Sequence, residues 1–131
     1  MSTVATFNLE VRYTSPGGVP LTESFAIPVP GVAQNCGNID IADLTAGSTV
    51  IVVPFGTIAK ATGGVIRNTN SLDIGIRING SVANNFQLAP GGTLLISQLV
   101  DAAAGDLTAI SIVTTAQQAG AGRVAYWIFG T

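Results

Sequence analysis

The sequence predicts an all-β fold, an antiparallel β-sandwich or jelly-roll-like single domain spanning residues 1–131. Short runs alternate apolar and polar residues with the two-residue period of a strand that has one buried face. Turns built from Gly, Pro, Asn and Ser separate these runs every 8–12 residues or so, at about the spacing of sandwich strands. No segment long enough for a stable helix shows helical periodicity. We expect about nine or ten short strands.

An N-terminal β-hairpin is predicted over about residues 4–28. Apolar and polar residues alternate through residues 7–13, which indicates a half-buried strand. The turn sequence S-P-G-G follows, and the return strand covers residues 21–27. Pro28 and Pro30 cannot donate backbone hydrogen bonds, so this second strand either ends there or lies at an edge.

Between the hairpin and residue 70 the sequence predicts short strands separated by loops. The predicted strands are residues 39–41, 48–53 and 65–66. The segment 31–37 is loop-like. Residues 57–61 fit either a strand or a single helical turn.

The clearest alternation lies in the segment that follows. Its apolar positions are predicted to point between two sheets: Leu72, Ile74, Ile76 and Ile78. Asn79-Gly80 predicts a turn. Residues 86–88 and 94–96 are predicted strands on either side of the turn Pro90-Gly91-Gly92.

The C-terminal third predicts a loop with one turn over residues 99–106, a strand over 107–115 and a turn over 117–122. The last predicted strand, residues 123–129, has large side chains on both faces. We therefore expect both faces to be covered, by the second sheet and, as one option, by a neighbouring subunit.

Charge is scarce along the chain. Only 9% of residues are charged, 47% are hydrophobic, and the formal net charge is −2. Uncharged polar residues could cover the surface, or much of it could be buried against other subunits, where charge is depleted. We favour the second interpretation and predict a homo-oligomer.

The same composition argues against nucleic-acid and membrane partners. The five basic residues are scattered singly rather than gathered in a stripe. No apolar run approaches the roughly 20 residues of a membrane span.

The residue types also argue against catalysis and against a required metal or cofactor. The chain has no histidine, the usual acid–base group near neutral pH, and a single cysteine, Cys36. Cys36 is interpreted as a structural thiol, since one cysteine makes neither a disulfide framework nor a zinc site. Gly63-Gly64 and Gly91-Gly92 lack the following lysine and long helix of a phosphate-binding loop. We predict no enzymatic activity.

Three weak candidate sites remain. Asp40 and Asp43, near Asn35 and Asn38, could bind Ca²⁺, but a solvated turn is the preferred interpretation. Asp101 and Asp106 are likewise interpreted as turn residues. A third cluster of aromatic residues could stack on a sugar, although core packing or a subunit contact is preferred: Tyr126, Trp127 and Phe129.

Four segments share a pattern of asparagine-rich turns, alternating strands and a final aromatic-plus-glycine strand. They are FNLEVRYTSPGGVPLTESFAI, IRNTNSLDIGIRING, ANNFQLAPGGTLLIS and RVAYWIFGT. In these segments the chain resembles small structural proteins of tailed bacteriophages. None of the motifs is diagnostic, and the resemblance brings no catalytic residue with it.

The resemblance implies a virion structural protein, assembled in the bacterial host cytoplasm. The first expectation is a capsid decoration (cement) protein that stabilises the major capsid shell as a homo-oligomer, with a trimer favoured. Its expected partners are further copies of itself and the major capsid protein or other virion proteins. A tail, baseplate or fibre module is the alternative, and a carbohydrate-binding β-sandwich is the third.

Overall fold

The protein is built from antiparallel β-strands, as predicted. The computed structural model describes residues 3–31, 33–40, 49–114 and 122–131. Ten strands are present there: β1 (Thr3–Thr14), β2 (Pro20–Gly31), β3 (Ala33–Asp40), β4 (Thr49–Val52), β5 (Ala61–Asn68), β6 (Ile74–Ile78), β7 (Phe86–Leu88), β8 (Thr93–Ser97), β9 (Ile110–Thr114) and β10 (Arg123–Gly130). Within these ranges no helix is long and apolar enough to cross a membrane.

Two four-stranded sheets form the sandwich, and the hairpin is a third, two-stranded sheet. The first sheet has the strand order β3-β10-β5-β8, and the second has the order β4-β9-β6-β7. Among the strands that the structure describes, β1 and β2 pair only with each other. Strands that are distant in sequence therefore lie side by side, and the chain crosses between the two sheets.

The core lies between the inner faces of the two sheets and consists largely of isoleucine. The first sheet contributes Ile66, Ile96, Val124 and Ile128, and the second contributes Ile74, Ile76, Ile78, Ile110 and Ile112. β-Branched side chains have few rotamers to lose and fit the pleated surface of a strand. The predicted inward direction of Ile74, Ile76 and Ile78 is confirmed.

The same prediction is wrong for Leu72, which is 41% exposed. Strand β6 begins only at Ile74, because the preceding residues form a turn. The buried amide of Asn68 donates to the carbonyl oxygens of Leu72 (2.8 Å) and Leu88 (3.0 Å). The bond to Leu72 holds its carbonyl group toward the interior, and its side chain points toward solvent.

Several predicted boundaries also change. Residues 33–40 form one strand rather than a loop and a short strand, because β3 pairs with β10 along its whole length. Tertiary pairing overrides the low strand propensity of its Asn and Gly residues. Residues 57–60 form neither a strand nor a helical turn. The predictions for Ile41, Thr115 and residues 117–121 lie outside the described residues.

The hairpin is longer than predicted. Strand β2 runs through Pro28 and Pro30 to Gly31, and the prolines pair with Thr6 and Val4 of β1. A two-stranded ribbon has an open edge on each strand, so a residue without an N–H group can face solvent there. The edge interpretation of the prolines is confirmed.

We predict that Ile76→Ala lowers the free energy of unfolding by roughly 2–5 kcal/mol, since Ile76 is fully buried and a cavity would remain. Leu72→Ala is the matched control, and we expect it to cost less than about 1 kcal/mol because Leu72 is exposed. Urea denaturation of both variants measures the difference. Equal losses would contradict the core assignment.

Candidate functional site: an exposed apolar face of the hairpin

The hairpin is amphipathic. Residues paired across β1 and β2 lie on the same face, and successive residues alternate between faces. One face, called here the hairpin face, consists of Phe7, Leu9, Val11, Tyr13, Leu21, Glu23, Phe25 and Ile27. The opposite face is polar and includes the ion pair between Glu10 and Arg12. The hairpin thus has the pattern of a strand pair that packs on one side.

Most of the hairpin face is uncovered. Five large side chains are between 43% and 60% exposed: Leu9, Val11, Tyr13, Leu21 and Phe25. At about half exposure, side chains of this size together leave on the order of 400–500 Å² accessible. A patch of this size is comparable to the largest apolar patch of a typical monomer, and such patches are often functional. The prediction that one face of β1 is buried is therefore wrong for the residues after Phe7, because no described part of the chain covers them.

The base of the hairpin shows what this face packs against. Val29, on the same face of β2, is fully buried, and a Cβ atom at Gly63 of β5 would overlap its side chain. Phe7 meets Phe129 of β10 edge-on, with ring centroids 5.6 Å apart. Glycine at position 63 thus makes room for the hairpin on the outer face of the first sheet, which explains a glycine inside a strand.

The rest of that outer face carries a second apolar surface. Trp127 of β10, Val65 of β5 and Leu95 of β8 are neighbours in one row across the sheet. Ala125 and Arg67 form the neighbouring pair on the same face, two residues along each strand. We call these five residues the sheet patch. Trp127 is 47% exposed and stacks on Phe129 at a centroid distance of 5.4 Å. The expected covering of the outer face of β10 is thus incomplete within the described chain.

The candidate calcium site, for which a solvated turn is the preferred interpretation, lies largely outside the described residues. Asp43 and the side chain of Asp40 lie outside them. The amide nitrogen of Asn35 donates to the carbonyl oxygen of Pro54 at 2.7 Å. Among the residues described, no three His, Cys, Asp or Glu side chains come together as a metal site would need. The predicted absence of a metal, cofactor and enzymatic activity stays a prediction.

Asp101 lies in a turn, as predicted. Its carboxylate accepts hydrogen bonds from the N–H groups of Ala103 (2.9 Å) and Ala104 (3.3 Å) and from the amide of Asn79 (3.3 Å). The N–H group of Ala103 is the main cause that lowers the pKa of Asp101, and burial opposes it. Asp106 forms an ion pair with Lys60 at 3.0 Å. Asp101 thus has backbone and side-chain donors in its turn, and Asp106 has a basic partner.

Asn79 connects this turn to the second sheet, a role that the sequence did not indicate. Its side-chain oxygen accepts from the N–H groups of Thr108 (2.8 Å) and Ala109 (3.3 Å), and its amide nitrogen donates to the carbonyl of Asp106 (2.8 Å). Its φ angle of 51° lies in the left-handed region, which asparagine tolerates well. The predicted turn at Asn79-Gly80 is confirmed.

The remaining sequence candidates are structural or solvent-facing. Gly63 and Gly64 lie inside β5, and Gly91 and Gly92 lie in the turn before β8, so neither pair opens a helix. Cys36 is a free, exposed thiol on the edge strand β3, paired with Trp127. The indole N–H of Trp127 donates to the side-chain oxygen of Gln34 at 3.1 Å.

Comparisons with known proteins give little support for any assignment. No protein-family model matches the sequence, and no curated protein matches it significantly. The chain is similar to a solved structure of an ethanolamine utilization protein Q from Salmonella typhimurium LT2. The similarity covers 95% of this chain and 97% of that chain, at 10% identity and a TM-score of 0.39.

The prediction of a phage virion structural protein is wrong as it stands: no family model or curated protein supports it, and the similar structure is that of an ethanolamine utilization protein. The correction covers the capsid decoration role and the tail alternative, whereas no finding tests the carbohydrate-binding alternative. The match is too weak to bring a function to this chain. The expected capsid partner and virion location are tested by no finding and stay predictions.

We predict that Asn79→Ala lowers the free energy of unfolding by roughly 2–3 kcal/mol, because it removes several hydrogen bonds and disfavours the left-handed backbone. Asn79→Gly removes the same bonds but keeps the backbone conformation accessible, so we expect a smaller loss. Chemical denaturation measures both. A loss below about 0.5 kcal/mol for the alanine variant would show that the side chain is not a structural link.

We also predict a pH-dependent effect of Asp101→Asn. Because the folded pKa of Asp101 lies below its unfolded value, the charged carboxylate stabilises the fold above the unfolded pKa. That contribution is lost as the pH falls through the folded pKa. The melting temperature of the variant should therefore lie below that of the wild type near neutral pH, and the gap should close in acid. A gap that stays constant with pH would contradict the prediction.

Proposed function

We propose that this protein is a non-catalytic structural protein that self-associates by burying the hairpin face against another copy of the chain. The observation that supports the proposal is the uncovered apolar surface of five large side chains on a well-paired hairpin. Exposed apolar area of this kind is costly in water and is retained where a partner covers it. The proposed state is a closed homo-oligomer, with a trimer as the first expectation.

The available area suits a stable interface. A standard interface buries roughly 800 Å² per partner, of which somewhat more than half is apolar. The roughly 400–500 Å² of the hairpin face supplies most of that apolar share. Further copies of the chain are the favoured partner because only 9% of its residues are charged, which matches the depletion of charge at interface cores.

The proposal is tested by the concentration dependence of molar mass in sedimentation or light scattering. Val11→Ser removes an exposed valine from the hairpin face, and we expect it to weaken association at least tenfold. Val82→Ser is the matched control, since Val82 is 91% exposed and lies on a loop away from the hairpin. We expect the control to associate like the wild type.

Two results would overturn the proposal. One is a wild-type protein that remains monomeric up to concentrations of about 100 µM. The other is an equal effect of Val11→Ser and Val82→Ser, which would show that association does not use the hairpin face. Circular dichroism of each variant establishes that the exposed substitutions leave the fold intact.

A further inference from the structure

We infer that the hairpin face of one copy docks on the sheet patch of the next copy, so that two different surfaces meet. This inference rests on the proposed self-association and specifies its geometry. The hairpin face then contributes Leu9, Val11, Tyr13, Leu21 and Phe25 around Glu23. The sheet patch contributes Trp127 and its apolar neighbours around Arg67.

The chain already makes a contact of this type within itself. At the base of the hairpin, Val29 is fully buried on the outer face of β5 over Gly63, and Phe7 packs on Phe129. Phe129 in turn stacks on Trp127 of the sheet patch. The outer face of the first sheet therefore accepts the apolar side of a β-ribbon, and the sheet patch continues that covered area. A second hairpin would extend an existing packing mode.

Charge distinguishes the two ways in which copies could pair. Glu23 is the one acidic side chain on the hairpin face, and Arg67 is the one basic side chain of the sheet patch. Pairing two hairpin faces would bring two copies of Glu23 into one apolar interface, and like charges there are destabilising. Placing the hairpin face on the sheet patch pairs Glu23 with Arg67 instead.

Shape agrees with this pairing. Val11, Tyr13, Leu21, Glu23 and Phe25 line a shallow depression of about 350 Å³ on the hairpin face. Trp127, half exposed on the sheet patch, is a large aromatic side chain available to enter it. Buried tryptophan and tyrosine side chains are typical anchors at the centre of an interface.

A contact between two different surfaces leaves one free surface of each kind on every incomplete assembly. Such a contact closes into a ring when the rotation between copies allows it, and otherwise it continues as a filament. The trimer proposed above is then a three-membered ring in which each hairpin face covers the sheet patch of its neighbour.

Charge reversal tests the pairing. We expect Glu23→Arg and Arg67→Glu each to raise the dissociation constant at least tenfold, and the double variant to return within about threefold of the wild type. Glu10→Arg is the matched control, since Glu10 lies on the polar face of the same hairpin, and it should leave association unchanged. An Arg67→Glu variant that associates like the wild type would overturn the docking while leaving self-association through the hairpin intact.

Trp127 offers an independent measurement because the chain contains one tryptophan. On association of the wild type, we expect its fluorescence emission to shift to shorter wavelength as water leaves the indole. At the concentration where the wild type associates, we expect Glu23→Arg to remain dissociated and to keep its long-wavelength emission. An oligomer that forms with no emission shift would show that the hairpin face is not buried on the sheet patch, and would overturn the docking. The separate proposal of self-association through the hairpin face is tested by loss of the oligomer in Val11→Ser.

Discussion

The structure depends on the isoleucine layer between the two four-stranded sheets. Within the described residues no disulfide joins the two sheets, and Cys36 is a free thiol. Isoleucines of β6 and β9 are fully buried against those of β5 and β10. Because β-branched side chains are stiff, this layer fixes the distance and the register of the sheets. The outer faces and the hairpin can then carry unusual surface residues without loss of the fold.

The hairpin meets this sandwich at its base, where Val29 approaches Gly63 closely and Phe7 packs edge-on against Phe129. A side chain at position 63 would displace Val29, and with it the base of the ribbon. Gly63, which belongs to neither surface, therefore helps to set the position of the hairpin face relative to the sheet patch. This explains how a long ribbon with few neighbours can still present Leu9 to Phe25 in a fixed direction.

Sequence patterns predicted the fold well and the functional surface poorly. Period-two alternation found most of the strands, and Asn79-Gly80 and Pro90-Gly91-Gly92 marked their turns, because these signals are local. Strand β3 depends on β10, a partner distant in sequence. The exposure of Leu72 depends on a side-chain hydrogen bond from Asn68, only four residues earlier, which period-two alternation does not show. Alternation in β1 predicted one apolar face correctly, yet it could not show whether another element covers that face. Each hairpin strand has 12 residues, longer than the runs 7–13 and 21–27 that alternation marked, so the sequence also underestimated how much ribbon there is to cover.

The prolines of β2 have a consequence for how assembly stops. Pro20, Pro28 and Pro30 are separated by even numbers of residues, so their backbone nitrogens point to the same side of β2. Because proline has no N–H group to donate to the ladder, that side must be the one away from β1. The outer edge of β2 therefore lacks donors near its tip and at its base. Another strand added there would find an interrupted row of hydrogen-bonding groups, which is how natural proteins prevent open-ended sheet growth and fibril formation. The ribbon can offer apolar area through its side chains while its backbone edge resists aggregation.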